Sequence, residues 1–147
     1  RYDMLERFLT ASNYAGQAFG TAGCGTVHAM SYPLSGMFHV AHGEANYAVF
    51  IGVMKKYMEL KQDGKIDKLN RFIAGLLGCG IEQVYNELEK LLNRIISKKT
   101  MKEYGATPEM IGQWTKSVIE GQQRLMANSF VPLNETQILD IYQSIYE

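Results

Sequence analysis

Cysteine is scarce in this chain. Cys24 and Cys79 are the only two among 147 residues, far apart and in no CxxC arrangement, which leaves no basis for a disulfide scaffold or a thiolate zinc site. Excess charge is missing as well. Fifteen Lys plus Arg offset fifteen Asp plus Glu, so no net field draws the protein to nucleic acid or to an anionic membrane surface. The longest nearly charge-free apolar run, Ala45 to Met54, is about half of the roughly 20 residues a membrane-crossing helix needs. Asp3, Glu6 and Arg7 interrupt the N-terminal stretch where a signal peptide requires unbroken apolar sequence. These absences predict a cytoplasmic protein with reduced thiols, no nucleic-acid partner and no membrane span. Nor does any stretch of four or more residues alternate at period two with β-branched enrichment, which excludes a sheet.

What remains is helical. Hydrophobic residues make up 46% of the chain, enough for one core, and residues 1–147 read as a single domain. Apolar positions recur at helical spacing from Tyr2 through Ala18, ending in Gly20, Gly23 and Gly25. A short second helix is predicted over Gly25 to about Leu34, because Pro33 and the Ser35-Gly36 pair weaken its continuation. A longer, largely buried helix follows from His42 to near Asp63, with Glu44 in its first turn, where the helix dipole favours an anion. Ile66, Leu69, Phe72, Ile73, Leu76 and Leu77 form one stripe. Ile81, Val84, Tyr85, Leu88, Leu91, Leu92, Ile95 and Ile96 form another, and both stripes predict core-facing helices. Thr107-Pro108 opens a helix expected to reach about Asn128, and Asn134 caps a last one. The fold predicted is an all-α bundle of six to seven helices. Trp114 and the other aromatic and Met residues on these stripes are expected in the core, and Lys98, Lys99 and Lys102 on a solvated loop.

All three histidines fall within fifteen positions: His28, His39 and His42. Neutral imidazole is a frequent ligand for divalent metals, and a break at Pro33, Ser35 and Gly36 allows His28 and His42 to meet. Two or three imidazoles alone lack the further ligand usual in catalytic centres, and Glu44 is the nearest acid. From these residues alone, a metal site and ordinary hydrogen-bonded histidines stay equally open. Gly20, Gly23 and Gly25 do not make a phosphate-binding loop, because they follow a helix and lack the Lys-Ser/Thr ending. Close helix packing is the simpler reason for small residues there.

The stretch "AFGTAGCGTVHAMSYPLSGMFHVAHGEANYAVFIGVM" (18–54) resembles the signature of the iron-containing alcohol dehydrogenases. A His in a Gly-x-x-His context, His28, is followed fourteen residues later by the His of a His-Gly pair, His42-Gly43. Asn46 and Met54 fit the downstream pattern, and "VPLNETQILDIYQSIY" resembles the closing helix of that family. Within it, the wording is most similar to members acting on 4-hydroxybutyrate. The resemblance implies the latter part of a C-terminal helical domain, preceded by a nucleotide-binding α/β domain with the active site in the cleft between them. An opening on Arg1, with no initiator Met or capping residue, points the same way, to a piece of a longer polypeptide.

Further expectations follow from the resemblance. The metal is Fe2+, with Zn2+ as the alternative, held by an Asp and a His four residues on, both upstream of Arg1, and by His28 and His42. NAD serves as the hydride carrier and a small-molecule alcohol as substrate, with a homodimer allowed. The piece alone is expected to be inactive and to bind metal weakly or not at all. Two positions depart from the family. Tyr32 stands where many members carry a His thought to handle a proton, which makes it a candidate proton-relay residue or an aromatic wall of the pocket. His39 stands where no His is required, which makes it a candidate donor to a substrate carboxylate or a helix cap. The other readings are a dehydrogenase for a diol or simple primary alcohol, and a helical interaction domain without catalysis.

Overall fold

A computed structural model describes residues 1–147. It contains eight α-helices and no strand: α1 (Tyr2–Ala22), α2 (Thr26–Phe38), α3 (His42–Leu60), α4 (Lys65–Leu77), α5 (Val84–Asn93), α6 (Pro108–Gly121), α7 (Gln123–Ala127) and α8 (Glu135–Ser144). A 3-10 turn, Ile81–Gln83, leads into α5. No helix is long and apolar enough to cross a membrane.

The main core lies where α2, α3, α6 and α8 meet. Met30, Leu34, Val49, Val53, Val118, Ile138, Ile141 and Tyr142 are shut off from solvent there, and Trp114 is 3% exposed. Each large apolar side chain of this kind contributes roughly 1.5–3 kcal/mol by leaving water. A smaller cluster of Ile51, Ala74, Val84 and Tyr85 joins α3 to α4 and α5. α3 serves both cores because its apolar residues run round the helix instead of forming one stripe. At Gly52, a Cβ would sit 3.2 Å from the methyl groups of Ile141 and Ile145, so the missing side chain sets how closely α8 approaches α3.

The caps form as the sequence predicts. The Thr107 side chain accepts from the Met110 amide with Pro108 at the first position of α6, and Asn134 and Gln137 form a reciprocal capping box on α8. Gly23 and Gly25 bear out the packing explanation: a Cβ at either would meet Asn128, at 3.1 and 3.3 Å, and Gly23 also takes φ +73°. Gly20 has open space around it.

Several boundaries differ from the expectation. α2 runs through Pro33 to Phe38, because Met30 and Leu34 anchor the helix in the core on either side of the proline, which removes only one backbone donor. The helix expected over 107–128 breaks at Gln122, with φ −113° and ψ 31°, next to Gly121, a weak helix former. That break makes the helix count eight. α5 stops at Asn93, so Ile95 and Ile96 leave the stripe and lie 72% and 44% exposed. On α4 only Ile66 and Ala74 of the apolar positions are buried, while Leu69, Phe72 and Leu76 face outward. α1 buries none of its residues, aromatic ones included. Lys98 is not on a solvated loop. Its ammonium lies 2.6 Å from Glu89, and its side chain is largely covered.

Tyr142 is fully buried, and its hydroxyl donates to the Met30 carbonyl at 2.6 Å, fastening α8 to α2. Tyr142→Phe removes that buried bond and is expected to cost about 0.5–1.5 kcal/mol, read as a lower urea midpoint at unchanged slope.

Candidate metal centre

His28 lies in the first turn of α2 and is half-buried, while His42 is the first residue of α3 and is exposed. The turn between the two helices brings their rings to 5.1 Å, centroid to centroid, at a tilt of 45°. Asn46, one turn along α3 from His42, joins them. Its Oδ1 is assigned as acceptor from the Ser31 hydroxyl at 2.6 Å, which turns Nδ2 toward both rings. Nδ2 lies 3.0 Å from His42 Nε2 and 3.4 Å from His28 Nε2. In these roles both Nε2 atoms accept from the one Asn46 amide, which holds the two rings toward each other.

Burial pushes the His28 pKa down, and the neighbouring His42 pushes it further the same way. A depressed pKa keeps His28 in the uncharged form that ligates metals. On its other side the His28 ring stacks on Phe19, at 6.0 Å and 26° between planes.

Two imidazole nitrogens brought this close fit part of a divalent-cation ligand set, an ion taking the place of the Asn46 amide between them. No group of three His, Cys, Asp or Glu residues comes together anywhere in the chain. Glu44 is accounted for: its carboxylate accepts from the Tyr104 hydroxyl at 2.9 Å. Desolvation, helped by that bond, raises the Tyr104 pKa well above its ordinary value.

Tyr32 lies one turn after His28 on α2, 39% exposed. With Phe19, Cys24 and the chain around Leu125 and Asn128, it lines a cleft of about 650 Å³. His39 is apart from this arrangement. It ends α2 in the left-handed conformation, φ 54° and ψ 29°, is exposed, and enters none of the contacts that join His28, His42 and Asn46.

Sequence reasoning placed the histidine pair but assigned no task to Asn46 and did not single out Phe19. Asn46 was within reach, because a polar residue four positions after His42 shares its helix face. Phe19 sits on another helix, and no local pattern connects it to His28.

The chain belongs to the iron-containing alcohol dehydrogenase family, whose C-terminal model matches residues 2–146. It is 45% identical over 146 residues to the 4-hydroxybutyrate dehydrogenase of Clostridium kluyveri, covering 99% of this chain and 39% of that protein. With the long-chain-alcohol dehydrogenase 1 of Geobacillus thermodenitrificans it shares 33% over 140 residues, covering 92% of this chain and 35% of that one. The chain thus spans less than half the length of these relatives. The fold matches that of the archaeal halo-thermophilic Red Sea brine pool alcohol dehydrogenase ADH/D1, solved bound to NZQ, with a TM-score of 0.73 at 21% identity, over 83% of this chain and 32% of that one.

An NMR titration checks the His28 environment. Its imidazole is expected to titrate below the ordinary histidine value of about 6.5. His42→Gln should move the midpoint part of the way back, because burial, the larger cause, remains.

Proposed function

We propose that this chain is the latter part of the helical domain of an NAD-dependent alcohol dehydrogenase that interconverts 4-hydroxybutyrate and succinate semialdehyde. The approach of His28 Nε2 and His42 Nε2 to a single Asn46 amide, at ring centroids 5.1 Å apart, carries the reading, on the spacing that resembles the family's ligand pair. The 45% identity to a 4-hydroxybutyrate dehydrogenase supports the substrate. A nucleotide-binding α/β domain and the first part of the helical domain, with an Asp-x-x-x-His pair, complete the protein upstream of Arg1. We place the protein in the cytoplasm and allow a homodimer.

His28 and His42 would hold the metal, Fe2+ or Zn2+, each through Nε2 in place of its contact with the Asn46 amide. When bound, the cation would supply Lewis-acid polarisation of the substrate oxygen and NAD would supply a hydride acceptor. The protein's own residues prepare that chemistry. Burial keeps His28 uncharged, Ser31 holds the Asn46 amide in position, and Asn46 sets the facing of both rings. The Phe19 ring stacks against one side of His28. Tyr32, beside His28 in the cleft, is the proposed proton-handling group. Its phenol is a weaker base at neutral pH than the His found in many relatives. His39, exposed at the end of α2 and apart from the contacts that join His28, His42 and Asn46, is assigned no part in the site.

The full-length enzyme tests the reading. It should reduce NAD with 4-hydroxybutyrate and contain stoichiometric metal. His28→Gln and His42→Gln should each lower both metal content and kcat by more than the roughly 10- to 100-fold that loss of an outer hydrogen-bond partner costs. Equal or better turnover of a diol or long-chain alcohol would move the substrate elsewhere in the family. A gene lacking the upstream Asp-x-x-x-His helix and α/β domain would sink the dehydrogenase reading.

A further inference from the structure

The cleft that Tyr32 lines has two chemically different features. Phe19 forms part of its wall and also stacks on His28, which connects the cleft to the imidazole pair. Arg124 on α7 is the only charged residue among those lining it. The remaining lining is apolar or neutral: Phe19, Cys24, Tyr32, Leu125 and Asn128 are the side chains that shape it. A single cation facing a small neutral cleft is a recognition element for one anionic group.

Arg124 is also uncommitted. It enters none of the ion pairs in the chain, which employ Lys55, Lys56, Lys61, Arg71, Lys90, Lys98 and Lys102. Its guanidinium presents a planar fork of donors that matches a carboxylate with two parallel hydrogen bonds. The cleft wall is held in place, because Asn128 donates to the carbonyls of Ala22 and Cys24 at 2.8 and 3.0 Å and ties the end of α7 to the start of α2.

We infer that Arg124 anchors the carboxylate of an ω-hydroxy acid whose hydroxyl end lies at the His28–His42 pair. The inference rests on the dehydrogenase reading and deepens it: the cleft selects a short chain with an alcohol at one end and an anion at the other. An uncharged alcohol leaves the guanidinium without a partner and gains nothing from it. Arg124, which lines the cleft, takes the role that position alone had suggested for His39, which does not.

The test uses the full-length, metal-loaded enzyme. Arg124→Gln is expected to raise the KM for 4-hydroxybutyrate roughly 10- to 100-fold, the worth of a charge-assisted hydrogen bond, with the KM for butan-1-ol unchanged. Arg124→Lys should recover part of the loss, and His39→Gln should leave the KM as it was. Butyrate, which carries the carboxylate without the reacting hydroxyl, should bind the wild type and lose the same factor in Arg124→Gln by calorimetry. Because Arg124 is exposed and unbonded, the variant is expected to keep the wild-type melting temperature. A wild-type preference for 4-hydroxybutyrate over butan-1-ol that persists in Arg124→Gln overturns the inference alone. So does a rise confined to the KM for NAD, which would place a nucleotide phosphate at the guanidinium. A wild type with no such preference overturns the substrate reading itself, and the inference with it.

Discussion

The packing of α2 on α3 is the contact on which the other elements depend. Met30 and Leu34 from the first helix and Ala45, Ala48 and Val49 from the second share one dry core. The same pair of helices carries Ser31, Asn46, His28 and His42 along its edge. Stability and site geometry therefore have a common origin. α8 is tied to this pair through Tyr142, and α4 and α5 attach to the far side of α3 through Ile51. The polar edge is organised because the apolar side beneath it admits no slack, close packing being the normal state of a protein interior.

Polar groups inside this body are paired across elements far apart in sequence. Thr26 receives the Tyr57 hydroxyl at 2.8 Å and meets the Ser129 hydroxyl. Asn70 accepts from Tyr85 at 2.6 Å. An unpaired buried group of this kind costs about 1–3 kcal/mol, so each bond selects one arrangement of helices over others that would bury the same apolar area. Near the start of α2, the Thr26 bonds and the Asn128 bonds hold the wall of the Tyr32 cleft.

Much of this was legible in the residues, and for identifiable reasons. Capping at Thr107 and Asn134 is a local matter and was readable from the side chains alone. The facing of His28 and His42 was readable because their spacing matched a long signature. The extent of α2 was not: Pro33 is a local argument, and core anchoring at Leu34 overrode it. The stripes on α4 and α5 were readable as helical but not as buried, since periodicity tells which residues share a face and not what that face meets. Asn46 and Phe19 acquired roles only from tertiary placement, and Arg124, alone on a short helix, belongs to no pattern at all.

The turn between α2 and α3 spans only residues 39–41, with His39 held in the left-handed region. An α-helix advances about 100° in azimuth for every residue. One residue added to or removed from this turn would rotate α3 by that angle relative to α2, or shift it along its axis. Either displacement would separate His42 from His28 and turn the apolar residues of α3 out of register. The length of this connector is consequently held far more tightly than its composition. Substitutions there alter local strain, whereas a single insertion or deletion would cost the site and the core together.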